Sequence, residues 1–196
     1  MSLSLRFRQP FYAYNEKIYF KGYQDNDTIW HINGTEYNTY ATISMGKYKY
    51  PEYRNLKEIQ NWFVNFNRKQ GYYYLVNTVM EDDLYIYLSA EPYFNPEMGS
   101  PRLLFDKNQN IGIAAKTESG NYGITDDILG GHSFWPRIIT DNYYISVTNA
   151  YDFIEEAQFL STSSSQFKEF IQGIDEDSNP IVTIATKKRQ QDESAK

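Results

Sequence analysis

Two carboxylates, an imidazole and an indole fall close together in one glycine-rich stretch: Asp126, Asp127, His132 and Trp135, within Thr125-Asp126-Asp127-Ile128-Leu129-Gly130-Gly131-His132-Ser133-Phe134-Trp135. Carboxylate oxygens and a neutral imidazole are the ligands a divalent cation takes, and an indole beside them could stack on a sugar ring. The same residues have a structural reading. An Asp pair caps turns through its own backbone, and Trp135-Pro136 would pack between sheets. That reading is preferred, because the loop lacks the dense oxygen-ligand spacing of a dedicated calcium loop. A divalent cation is the one cofactor the sequence leaves open, and these four residues are its candidate ligand-binding set.

Elsewhere the chemistry is thinner. Glu81-Asp82-Asp83 and Asp175-Glu176-Asp177 could supply the paired carboxylates of a glycosidase, but surface turns explain both runs. His31, inside a strand beside Trp30, reads as structural. Asn26-Asp27-Thr28 reads as a turn that bonds its own backbone before a strand, with a weak binding role open to it. There are two histidines and no cysteine, so disulfides, thiolate metal sites and cysteine nucleophiles are excluded. No Gly-x-Ser-x-Gly nucleophile motif and no phosphate-cradling glycine loop is present. No residue is assigned a catalytic role.

The 196 residues carry a net charge of −6. Nucleic acid and anionic membranes need clustered Lys and Arg, and the one basic cluster, Lys187-Lys188-Arg189, runs into Asp192 and Glu193. Nucleic acid is therefore not an expected partner. No apolar stretch approaches the roughly 18 residues that span a bilayer as a helix. Residues 1–8 read as an N-terminal extension or an expression scar, and 189–196 as a disordered charged tail.

The elements that must position these residues are strands. The chain has 19 Tyr, 12 Phe and 3 Trp, in period-two runs such as Lys17-Ile18-Tyr19-Phe20 and Asp83-Leu84-Tyr85-Ile86-Tyr87-Leu88. Alternation of aromatic and β-branched residues predicts strands packed sheet on sheet. Strands are expected over 17–22, 27–32 and 36–44, with Asn33-Gly34 as a hairpin turn. Four more follow at 71–80, 83–91, 101–106 and 110–117, then 134–139, 142–149 and 181–186. A short helix is expected over 55–62 and another over 164–173, behind the serine-rich stretch Ser161–Ser165. Consecutive meanders of this size suit a propeller or a sandwich.

Tyr14-Asn15-Glu16-Lys17-Ile18-Tyr19-Phe20-Lys21, Asn26-Asp27-Thr28-Ile29-Trp30 and Met45-Gly46-Lys47-Tyr48-Lys49-Tyr50-Pro51 resemble successive signatures of the NHL-like six-bladed β-propeller proteins of gut anaerobes, a largely uncharacterised family of lipoproteins. The likeness continues through Ile124–Gly131, Phe134-Trp135-Pro136, Ala150-Tyr151-Asp152 and Asp175–Val182, covering about residues 9–188. The family's chains are roughly twice this long, so the resemblance implies a C-terminal half. It also implies an envelope-associated protein, periplasmic or at the outer membrane, and no catalytic residues.

The resulting expectation is an all-β fold of propeller-like antiparallel meanders, three to four blades of a partial ring over 9–188, with one or two short helices. The expected role is a non-enzymatic binding or scaffolding module that contacts a protein or glycan through blade loops. The alternative is a fragment of a metal-assisted carbohydrate-active hydrolase or lyase built on Asp126, Asp127 and His132. Blades need neighbours on both sides, so a missing N-terminal half or self-association is expected as well.

Overall fold

The structure is a computed structural model that describes residues 10–22, 27–48, 74–92, 99–117, 120–158, 160 and 163–187. The fold is all-β. Three antiparallel sheets are present among the described residues, each with its strands in chain order. The chain divides into two compact units, Met1–Ala114 and Ala115–Lys196.

The first unit opens with a four-stranded meander: β1 (Phe11–Tyr14), β2 (Lys17–Lys21), β3 (Thr28–Asn33) and β4 (Glu36–Thr42). β1 lies outside the expected strands. It is joined to β2 by Asn15 (φ 49) and Glu16 (φ 60), a two-residue turn with both central φ positive, as a type I′ turn demands. The hairpin expected at Asn33-Gly34 sits one residue later. Asn33 pairs with Glu36 inside the ladder, so Gly34 (φ 62) and Thr35 form the turn. Positive φ at the first central position alone is the signature of type II′, where glycine is the residue that fits.

The second sheet is another four-stranded meander, β5 (Tyr74–Glu81), β6 (Tyr85–Pro92), β7 (Arg102–Asp106) and β8 (Ile111–Ala115). Its β7–β8 turn is tied by Asp106, whose Oδ1 accepts from the backbone N–H of Asn108 and Gln109 at 2.8 and 2.9 Å. The core of the unit lies between these two sheets. Tyr12, Tyr19 and Ile29 of the first meet Val76, Val79, Ile86, Leu88 and Ala90 of the second. The buried members are mostly rings in the first sheet and aliphatic in the second, with the half-buried Tyr74 and Phe105 of the second sheet packed against them.

Both sheets carry a bulge on this interface. On β4, Trp30 pairs with Thr39 and Ile29 with Ala41, leaving Tyr40 as the extra residue. On β5, Asn77 is the extra residue between the Val76 and Thr78 pairs, and its Oδ1 is buried without a hydrogen-bond partner. A bulge re-aims one side chain out of the regular alternation, and at Tyr40 that side chain reaches Glu81.

The second unit holds a three-stranded sheet in the order β11-β10-β9, from β9 (Ile138–Ile139), β10 (Tyr143–Thr148) and β11 (Ile181–Thr186). Two helices lie in the connection between β10 and β11: α1 (Ala150–Ala157) and α2 (Ser165–Gln172). α2 follows the serine signal as expected, for Ser164 Oγ accepts from the Phe167 N–H at 3.1 Å. α1 was not expected; its N-cap is Asn149, which makes no capping bond through its side chain. The helix expected over 55–62 lies outside the described residues.

Candidate functional site

The loop singled out by the sequence is built in the second unit as a closed structure. Its base is pinched by Ile124 and Phe134, which exchange backbone hydrogen bonds of 2.7 and 2.8 Å. Asp126 sits inside and bonds the loop's own backbone. Its Oδ1 accepts from Ile128 and Leu129 N–H at 3.1 and 3.0 Å, and its Oδ2 from Gly131 N–H at 3.1 Å. Of the Asp pair expected to cap turns, Asp126 does so. The Leu129 carbonyl accepts from Ser164 N–H at 2.8 Å, tying the loop to the start of α2.

A side chain at Gly131 would force its neighbours to shift. A Cβ would lie 2.8 Å from Asp126 Oδ2 and 2.8 Å from a ring carbon of Phe167. The loop is thus clamped between a carboxylate and the aromatic face of α2.

His132 faces α1. Its ring stacks on Phe153, with centroids 4.9 Å apart and planes 3° from parallel. Nε2 lies 2.8 Å from Glu156 Oε2, and Nδ1 lies 2.6 Å from the Ser133 carbonyl oxygen. Both ring nitrogens thus face oxygen acceptors. Glu156 also accepts from Ser133, through N–H at 2.9 Å and Oγ at 3.1 Å. Burial pushes the Glu156 carboxyl up, but the hydrogen bonds from His132 and Ser133 and the attraction of the imidazole outweigh that and hold it at about 2.

A serine, a histidine and a glutamate in contact invite comparison with a catalytic triad. The connectivity differs. In a triad the serine hydroxyl gives its proton to the imidazole, and the carboxylate orients the other ring nitrogen. Here the Ser133 hydroxyl and the His132 Nε2 both point at the same carboxylate oxygen. With its carboxyl held at about 2, Glu156 is a weak base for the Ser133 proton. The cluster holds loop to helix.

The structure therefore brings Asp126 and His132 into one loop but gives each a separate partner. Asp127 is exposed, and Trp135 is buried beside the fully buried Pro136. Among the described residues no three His, Asp or Glu side chains converge to form a metal-binding group. Sequence reasoning missed Glu156 and Phe153. Both lie on α1, and no local pattern ties them to a histidine more than 20 residues earlier. At its tip the loop turns an apolar side chain outward beside Asp127: Ile128 is 86% exposed.

The first unit holds a second polar cluster, where the acidic run 81–83 was expected to be a surface turn. Two of its three members are buried instead. Glu81 accepts from Tyr12 Oη at 2.8 Å and Tyr40 Oη at 2.5 Å, and pairs with Lys107 Nζ at 2.5 Å. Asp82 Oδ1 accepts from the N–H of Leu84 and Tyr85, and Oδ2 from Tyr87 Oη at 2.9 Å. Lys107 also donates to the Asp82 carbonyl at 2.6 Å and sits 4.0 Å above the Tyr14 ring. A carboxylate can be buried when each of its oxygens meets donors in this way. Burial first, then the Glu81 charge, pushes the Tyr12 phenol far above the ordinary tyrosine range. Tyr40 is driven up by burial and by its hydrogen bond to Glu81. The run Asp175–Asp177 is an exposed turn, closed by Asp175 N–H donating to Ser178 Oγ at 3.0 Å.

No family model matches the chain, and no curated protein sequence does. A solved structure from Bacteroides fragilis NCTC 9343, of a protein provisionally named as exported, shares the fold with a TM-score of 0.55 over 92% of this chain at 16% sequence identity. The chain spans 50% of the length of that protein.

Proposed function

We propose that the chain is a non-enzymatic binding module of the bacterial cell envelope that presents the 125–131 loop to a protein or glycan. The carrying observation is the use of the reactive side chains. Asp126 bonds three backbone N–H groups, and His132 and Ser133 bond Glu156. The outcome is a rigid loop with an apolar tip at Ile128. Loops held by a stiff scaffold are where such folds carry recognition. The envelope assignment is supported by the resemblance to NHL-like propeller lipoproteins and by the exported name of the B. fragilis structural neighbour.

The test is binding read beside turnover. The immobilised chain is offered a glycan array and a detergent extract of a Gram-negative envelope, and the same glycans are screened for hydrolysis. Retention that Ile128→Asp abolishes, with no hydrolysis, supports the reading. Hydrolysis that disappears in Asp127→Ala and returns with added divalent metal supports the enzyme alternative and ends the proposal.

A further inference from the structure

We infer that Asn33 is a site of spontaneous covalent modification, in which the Gly34 backbone nitrogen closes on the Asn33 side chain and expels its amide as ammonia. The chemistry begins in the sequence. The nitrogen that follows an asparagine can form a five-membered imide with Cγ, and bulk on the following residue hinders the approach. Glycine carries no Cβ and hinders it least. No other asparagine of the chain precedes a glycine. Asn38, Asn77 and Asn110 precede Thr39, Thr78 and Ile111, whose branched Cβ crowds the nitrogen.

The fold adds access. Asn33 and Gly34 lie at the tip of the β3–β4 hairpin and are exposed. A Cβ placed on Gly34 would meet nothing within 4 Å, so the space beside the turn is open to an imide ring and to water. Among the described residues neither the Asn33 side-chain amide nor the Gly34 N–H has a hydrogen-bond partner. The pair Asn33–Glu36 is the last of its ladder, and ladder ends open at little cost. That matters because an asparagine in a strand must turn about ψ before the nitrogen reaches Cγ. Asn38 has less freedom, being paired with His31 inside the same ladder.

The bonds balance with water alone. The Gly34 nitrogen gives up its proton to solvent base and bonds to Cγ. The carboxamide C–N bond breaks, and the leaving nitrogen takes up protons to depart as ammonia. Water then opens the imide at one of its two carbonyls. Opening at Cγ restores the main chain with aspartate at position 33. Opening at the backbone carbonyl leaves the chain running through the side chain, longer by one methylene. One water enters and one ammonia leaves. Either product strains the turn. Aspartate sets a second carboxylate directly across from Glu36, and like charges so placed destabilise a ladder. The longer linkage spoils the two-residue closure that sets the register of β3 on β4. The change runs one way, so an ageing chain loosens first at this turn.

Ageing the full chain at body temperature and mildly alkaline pH for several weeks, in water enriched in heavy oxygen, tests this. Peptide mapping by mass spectrometry should find the Asn33 peptide carrying the label, as two products of equal mass, before any other asparagine is labelled. Gly34→Ala should slow the conversion about tenfold or more, since it sets a Cβ beside the attacking nitrogen. If that variant, strained at φ 62, fails to fold, Asn33→Gln serves instead: it lengthens the side chain by one methylene, keeps Gly34, and should take up no label. Asn33→Asp installs the first product and should lower the denaturation midpoint of the fresh chain. An unlabelled Asn33 overturns the inference, as does earlier labelling of another asparagine. A single labelled product overturns the imide route, because direct hydrolysis gives aspartate alone. Conversion of Gly34→Ala at the wild-type rate overturns the role of the glycine, and an unchanged Asn33→Asp midpoint overturns the effect on the turn. None of these readings depends on what the 125–131 loop binds.

Discussion

Glu156 is the residue on which the loop of the second unit hangs. Its carboxyl is held at about 2 against an ordinary 4.5. A depressed folded pKa means stabilisation that is complete above the unfolded value and fades as pH falls through the folded one. Glu156→Gln should therefore destabilise the protein by about 1–3 kcal/mol at neutral pH, the usual cost of stranding hydrogen-bonded partners. The difference from wild type should shrink between pH 4.5 and 2, read as denaturant midpoints across that range. A difference that stays constant down to pH 2 would show that the charge is not what holds the loop. In the first unit the sign is reversed. Tyr12 has a raised folded pKa, so what it contributes is present below the ordinary tyrosine value of about 10 and is lost at high pH. Absorbance titration should find the Tyr12 and Tyr40 phenols still protonated after the exposed tyrosines have ionised, and Glu81→Gln should bring both down. Neither partnership was legible in the sequence. The acidic run 81–83 looks like any polar turn until Tyr12, Tyr40 and Lys107 arrive from three other elements.

At the scale of elements, the strands were legible because period-two alternation survives in nearly all of them. β1 escaped notice because it has four residues and its turn is Asn15-Glu16 rather than Asn-Gly. Glu16 holds φ 60, a conformation that costs a side-chain-bearing residue about 1 kcal/mol. Glu16→Gly removes that cost and should raise stability by several tenths to about 1 kcal/mol, measured by chemical denaturation. A loss of stability would mean the turn is not left-handed at both positions. α1 escaped notice although Asn149 is a preferred N-cap residue and Asp152 lies in the first turn: Ala150–Ala157 is only two turns long and directly follows the strand pattern of β10. The loop on α2 depends on Gly131 in turn. Gly131→Ala must displace either the Asp126 carboxylate or the Phe167 ring, and overpacking of this kind costs about 1–3 kcal/mol. A neutral Gly131→Ala would show that the loop is not clamped there.

At the scale of the molecule, the all-β class followed from the aromatic alternation, but the open faces did not. Which side of a strand faces solvent depends on what the neighbouring sheet covers, and that is a property of the whole fold. Charge and exposed apolar side chains then act in opposite directions on solubility. Each chain carries −6, so chains repel, whereas Phe11, Ile18, Tyr37, Val182 and Ile184 each leave about half or more of their surface to solvent. Salt shortens the range of the repulsion, with a Debye length near 30 Å at 0.01 M and about 8 Å at 0.15 M, and leaves apolar contact essentially intact. Solubility should thus fall as salt rises over that range, and fall again as pH approaches the pI near 5.0, where the net charge vanishes. Light scattering at three salt concentrations reads the slope. Scattering that decreased with added salt would mean ion pairs between chains, and not the exposed apolar side chains, set the solubility.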